Sequence, residues 1–344
     1  MKKYLIVLVC LAFSFTKGSA CTRVVYKGKD NLILTARSMD WKEDLKSDLW
    51  VFPRGMYREG KVGENSLTWT SKYGSVIASA YDIASTDGMN EKGLVANLLW
   101  LAESTYADRD SSKKGITISA WVQYILDNYA SVQEAVEDLK NEPFQVVSDW
   151  MPTGDRMATL HLSISDANGD NAIFEYINGK LVIHHDPSYQ VMTNSPIFEK
   201  QLALMEYWNE IGGTVMLPGT NRAADRFVRA SFYTHAIPQT ANADLGVASV
   251  LSVIRNCSVP FGITPPNQPN ISSTRWRTVA NQRDKIYYFE SVLSPNVIWL
   301  SLNDLNLKKG APVLKLKLSN STIYTGDVKT NLEKATPFEF LGLE

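Results

Sequence analysis

The sequence predicts an α+β protein in which antiparallel sheets and helices occupy separate stretches of chain. Three observations lead there. Short runs rich in β-branched residues are joined by tight turn signals, helical patterns cluster together, and the order reads strands, helices, strands, helices, strands. The regular strand-helix-strand alternation of a doubly wound parallel sheet is not the pattern here.

The first two elements are strands, Thr22 to Tyr26 and Asn31 to Arg37, joined through Gly28-Lys29-Asp30-Asn31. Gly, Asp and Asn accept the left-handed backbone that a tight hairpin needs. Ile116 to Tyr129 carries a helical apolar repeat, and Ser131-Val132-Gln133-Glu134 is a capping box opening a second helix through Leu139. A meander follows: Leu160 to Ser165, Ala172 to Tyr176 and Lys180 to His184, turning at Asn168-Gly169 and Asn178-Gly179. Phe198 to Trp208, Ala223 to His235 and Asp244 to Asn256 read as helices. Lys285 to Glu290 and Val297 to Leu302 form a last hairpin around Ser294-Pro295-Asn296.

Apolar residues make up 44% and charged residues 21% of the 344-residue chain, the balance of a folded globule. No linker-like tract divides it, so residues 21–344 read as one domain. Lysine and arginine total 35 against 36 acidic residues, with no basic concentration of the kind nucleic acid requires. Lys2 and Lys3, the apolar run Tyr4 to Phe15, and Gly18-Ser19-Ala20 together read as a secretory signal peptide over residues 1–20. A spanning helix needs roughly 20 apolar residues, and this run stops at Thr16-Lys17. The expectation is an exported chain, periplasmic or secreted, with no stable membrane span after processing.

Processing there would leave Cys21 first, with a thiol and a free α-amine on one residue. An α-amine titrates near pH ~8, against ~10.4 for lysine, so it can act as base for its own thiol without a histidine. Two other readings stand beside this one. Cys21 could be the lipidated anchor of a non-catalytic lipoprotein, although Gly18 sits where a lipobox carries an aliphatic residue; or it could pair with Cys257 in a disulfide. His161, His184, His185 and His235 fall in no metal-ligand spacing, and no phosphate loop, dinucleotide fingerprint or Gly-x-Ser-x-Gly elbow occurs. Neither a metal nor an organic cofactor is expected.

A hairpin centred on Lys29 sets Arg37 opposite Cys21, where a guanidinium would stabilise the thiolate. A slip of one residue would turn Arg37 to the other face. Asp40, three residues on, is placed to reach a protonated α-amine; an ordinary surface ion pair between the two is the competing reading.

The segments Cys21-Thr22, Ala36-Arg37-Ser38-Met39-Asp40-Trp41, Asp87-Gly88-Met89-Asn90-Glu91-Lys92-Gly93-Leu94, Met192-Thr193-Asn194-Ser195-Pro196 and Leu217-Pro218-Gly219 with Asp225-Arg226-Phe227 occur in collinear order. Together they resemble the choloylglycine hydrolase family of bile salt hydrolases and penicillin V acylases. The resemblance implies a four-layer αββα sandwich and an amino-terminal cysteine nucleophile. It also implies a small-molecule amide substrate, no cofactor, and a homotetramer as the assembly.

Carried over by residue, the resemblance makes Cys21 the nucleophile and Arg37 and Asp40 its neighbours. Asn194 becomes the oxyanion-hole asparagine and Arg226 a second active-site arginine. One position departs from the pattern. Many bile salt hydrolases have an active-site asparagine where this chain has Trp100, and Asn97 falls three residues early. A backbone N–H can serve the oxyanion from any residue but proline, while the Trp100 ring would line the acyl pocket or simply belong to the core. The expected reaction is hydrolysis of non-peptide amide bonds. Deconjugation of glycine and taurine bile salts comes first, with penicillin V or another N-acyl amide, such as an acyl-homoserine lactone, as the alternative.

Overall fold

The computed structural model describes residues 21–154, 156–212, 216–263, 272–318 and 322–343. The expected signal peptide, residues 1–20, lies outside the described residues. In chain order, the strands β1 (Thr22–Lys27), β2 (Ile33–Trp41), β3 (Leu49–Phe52), β4 (Tyr57–Glu59), β5 (Thr68–Thr70), β6 (Ser75–Ala80), β7 (Ala84–Asn90), β8 (Val95–Trp100) and β9 (Gly115–Thr117) come first. A 3-10 turn (Ile118–Ala120) then leads into α1 (Trp121–Asn128) and α2 (Val132–Leu139). After β10 (Gln145–Val147) come the meander β11 (Leu160–Ser165), β12 (Asn171–Ile177), β13 (Lys180–His185), the short β14 (Val191–Met192), and the helices α3 (Phe198–Glu210), α4 (Ala223–Ala236) and α5 (Ala243–Asn256). The chain closes with β15 (Ser273–Asn281), β16 (Ile286–Ser291), β17 (Val297–Ser301), β18 (Leu314–Leu316), β19 (Gly326–Asp327) and β20 (Glu333–Lys334).

Two large sheets result. One runs β14-β1-β2-β15-β16-β17-β19 and the other β13-β12-β11-β8-β7-β6-β3-β18-β20; within them only β17 and β19 pair parallel. Helices α4 and α5 pack on the first sheet and α1 and α2 on the second, so each sheet is covered on both faces. This is the expected αββα sandwich. Coverage on both faces explains why β1 and β2 are buried almost throughout instead of alternating. Ser131 caps α2 as its sequence predicts, accepting from the Glu134 N–H at 3.2 Å.

Two elements differ from the sequence reading. The helix expected from Ile116 begins at Trp121, because Gly115–Thr117 is taken up in a parallel pair with Gln145–Val147. Tertiary pairing overrides local periodicity there. The first hairpin turns around Asp30, which with Asn31 adopts positive φ (52° and 55°). Arg23 therefore pairs with Arg37 and Thr22 with Ser38, and Cys21, one residue before the ladder, comes level with Met39. The shift moves Arg37 by two places along β1, which preserves the face, since side chains alternate with a period of two. Thr35, Arg37 and Met39 point into the space between the sheets, where Thr35 Oγ1 meets Ser165 Oγ at 2.7 Å. Ala36, Ser38 and Asp40 point toward the helices.

Candidate active site

Cys21 sits one residue before β1, between the sheets and 2% exposed. The contacts of its Sγ are the Asp40 N–H at 3.5 Å, the Asp40 carbonyl at 3.8 Å and Arg37 Nη2 at 3.9 Å. Burial pushes the Cys21 thiol up from its ordinary value, against the pull of Arg37. A thiol so placed ionises at neutral pH only with a base beside it. None of the groups touching Sγ is one, and the four histidines are engaged elsewhere: His161 and His184 on Glu175, His185 on Asp170, and His235 on the Ser231 carbonyl.

Arg37 enters from β2 where the other sheet opens. Strands β7 and β8 pair only as far as Asp87 and Asn97; beyond that point they diverge, and the guanidinium takes the freed Leu98 carbonyl at 2.7 Å and the Thr86 carbonyl at 3.4 Å. It also forms a buried ion pair with Asp87 at 3.7 Å. Asp87 is held in turn by Asn97 Nδ2 at 2.6 Å and by the Tyr287 hydroxyl. Asn97, three residues early in the family pattern, thus braces the ion pair. The surface ion-pair reading of Arg37 and Asp40 is set aside, since both are fully buried. The Asp40 carboxylate faces the helix side, accepting from Thr274 Oγ1 at 2.5 Å and Ser38 Oγ at 3.4 Å. Burial lifts Asp40 to about 6, opposed by Arg226 and the Thr274 hydrogen bond.

Asn194 and Arg226 complete the cluster from another direction. Arg226, on α4, donates to the Cys21 carbonyl at 2.5 Å, to Thr22 Oγ1 at 2.6 Å and to Asn194 Oδ1 at 2.9 Å. Oδ1 also accepts from the Cys21 backbone nitrogen. Because arginine is only a donor, these contacts orient the asparagine amide. Nδ2 has two hydrogens; one goes to the Trp100 carbonyl at 2.7 Å, and the other remains available to a substrate oxygen. The loop carrying Asn194 is fixed by Gln201, which donates to the Asn194 and Pro196 carbonyls. Glu175 accepts the first N–H of α3 at 3.1 Å.

Trp100 lies at the end of β8. Leu101 N–H bonds the Thr159 carbonyl, so Trp100, paired with Leu160, is a non-hydrogen-bonded position in that ladder. Its N–H and carbonyl both point away from β11, to the side where β7 has diverged. The residue is 8% exposed, and its ring tilts at 48° against Trp41, with centroids 5.5 Å apart. Trp41 and Trp100 both line a pocket of about 780 Å³, open mouth included, that is bordered by Cys21 and by Ala84, Thr86 and Leu98 of the diverging strands. Met39, Leu45, Leu98, Met151 and Leu160 make its walls apolar.

This geometry can hold an apolar acyl group with its carbonyl at a buried thiol and two N–H donors beside it. A family model described as linear amide C-N hydrolases, choloylglycine hydrolase family, matches residues 21–324. The chain belongs to this family. It is a linear amide C–N hydrolase, and the sandwich is that of its solved relatives. The penicillin V acylase of Agrobacterium tumefaciens superposes with a TM-score of 0.88, at 60% identity, covering 94% of this chain and 100% of that one. The penicillin V acylase of Pectobacterium atrosepticum is 51% identical, over 98% of this chain and 96% of its own length. The bile salt hydrolase/transferase of Clostridium perfringens is 27% identical, over 83% of this chain and 94% of its own length.

Cys21, Arg37, Asp40, Asn194, Arg226 and Trp100 thus converge on one place. Trp41 and Asp87 lie within the family-like motifs, and alternation beyond Arg37 puts Trp41 and Cys21 on one face. Tyr287, Gln201 and Glu175 had no signal at all. Cys21 and Cys257 are both free, which removes the disulfide reading. Cys257 is buried behind Arg226, its thiol 3.8 Å from the Arg226 carbonyl, a contact a serine hydroxyl can reproduce. Cys257→Ser is expected to leave turnover unchanged and to shift stability by less than about 1 kcal/mol. Reductant should leave the wild-type melting temperature where it was. A matching drop in both measurements would restore the disulfide.

Proposed function

We propose that the chain is an exported acylase of the penicillin V type, activated when removal of residues 1–20 frees the Cys21 amine. The observation that carries this is the apolar pocket with the Trp41–Trp100 pair in its wall, opening directly on Cys21. Two penicillin V acylases at 60% and 51% identity support the same substrate class. Bile-salt deconjugation, placed first on sequence alone, becomes the second reading, supported by the relative at 27%.

In this mechanism the Cys21 amine takes the thiol proton while one of its N–H bonds stays on Asn194 Oδ1. The thiolate adds to the amide carbonyl. Asn194 Nδ2 and the Trp100 N–H hold the oxyanion, an interaction whose loss costs about 3 kcal/mol per donor. The ammonium then gives its proton to the leaving nitrogen as the C–N bond breaks, and water attacks the thioester, releasing the carboxylic acid and restoring the thiol. Arg226 fixes the Cys21 backbone relative to Asn194.

The test compares kcat/KM for penicillin V, glycocholate and taurocholate side by side, and penicillin V should be the preferred substrate. A higher value for either bile salt would reverse the assignment. Trp100→Ala should weaken penicillin V hydrolysis by on the order of 1 kcal/mol beyond the lost apolar area and should change the ratio between substrates. Equal fractional losses together with a lower melting temperature would make Trp100 a core residue only. Export is tested by the mass of the mature amino terminus: free Cys21 agrees with this reading, whereas a diacylglyceryl adduct contradicts it. Native mass spectrometry tests the homotetramer.

A further inference from the structure

The C-terminal tail supplies part of the pocket lining through Leu341. After β20 the chain crosses the outer side of the second sheet, where Phe338 and Phe340 pack against each other and Phe338 against Trp50 and Phe52. The Arg58 guanidinium lies over the Phe52 and Phe340 rings at 4.3 and 5.7 Å. Leu341 is then pinned through both backbone groups. Its N–H donates to the Ile83 carbonyl at 2.9 Å and its carbonyl accepts from Ser119 Oγ at 2.6 Å. A Cβ on Gly342 would come within 2.0 Å of the Lys61 carbonyl oxygen, so only glycine lets the tail lie this close.

These bonds hold the half-buried Leu341 in the pocket lining beside Ile83, Ile118 and Ser119. Thr86, whose carbonyl receives Arg37 next to Cys21, is three residues from Ile83, in the turn before β7, a span of at most about 10 Å at strand spacing. The tail also lies beyond the residues matched by the family model, which end at 324. A leucine in this place is surface that an acyl chain reaching the end of the pocket would touch.

We propose that Leu341 is a specificity-determining residue, the stop against which the acyl group ends, so that the C-terminal tail sets the longest acyl chain the enzyme accepts. This rests on the reading that the pocket holds the acyl side of the amide. Leu341→Ala lengthens the pocket and Leu341→Phe shortens it, and neither removes the backbone bonds that dock the tail. Specificity constants would be measured for hexanoyl, octanoyl, decanoyl and dodecanoyl amides of one amine. The ratio of dodecanoyl to octanoyl hydrolysis should rise on the order of tenfold in Leu341→Ala and fall by a similar factor in Leu341→Phe.

A second readout is independent of turnover. Binding of the matching free fatty acids to Cys21→Ala protein, followed by tryptophan fluorescence, should show the same opposite shifts in preferred length. Chain-length preference unmoved by both substitutions, at unchanged melting temperature, overturns the proposal. If no amide is hydrolysed but the acid-binding preference still shifts, the acylase reading fails and the stop survives.

Discussion

Cys21→Ser is expected to abolish hydrolysis of every amide substrate, by on the order of 10³-fold or more, without lowering the melting temperature. The side chain is buried, and its neighbours are the Asp40 backbone and Arg37. A hydroxyl fits the same space. It does not fit the chemistry, because a serine beside an unassisted amine is a far weaker nucleophile than a thiol whose proton the same amine can remove. The same argument makes an uncleavable precursor inert, since its Cys21 nitrogen is an amide without a basic lone pair. Penicillin V turnover by the purified variant decides the point. Activity close to wild type in either protein would transfer the role of nucleophile or base to another group.

Arg37→Ala should be the most destabilising single change at the site, by about 3–5 kcal/mol. Removing the guanidinium strands Asp87 in the interior and leaves the Leu98 and Thr86 carbonyls of the diverging strands without their donor. It also removes the main influence lowering the Cys21 thiol, so thiol alkylation should move to higher pH. The two effects are separable. Asp87→Asn combined with Arg37→Ala should recover part of the stability, measured by denaturant unfolding, while the alkylation profile stays shifted. An unchanged profile in processed Arg37→Ala protein would remove Arg37 from the thiol's electrostatics.

The site's residue types were legible because they travel in short motifs. Cys21 follows a leader-like run, Arg37 and Asp40 share one strand, and Asn194 and Arg226 lie in segments with family spacing. The face of Arg37 was also legible, since a hairpin displaced by two places keeps the same side chains inward. The exact partner was not: whether the turn centres on Lys29 or Asp30 depends on which residues adopt positive φ, and Gly, Asp and Asn all can.

By itself the sequence determined the fold class, the strand and helix order, and the chemistry to expect from a cysteine freed at its amine, because periodicity, turn residues and motifs are local. Only the tertiary structure decided what surrounds that cysteine. The divergence of β7 and β8 that admits Arg37, the Asp87–Tyr287 brace behind it, the Trp41–Trp100 wall and the place of Leu341 in the pocket lining each join residues far apart in the chain. Such contacts follow from how two sheets and a tail come together in space, and no spacing along the chain encodes them.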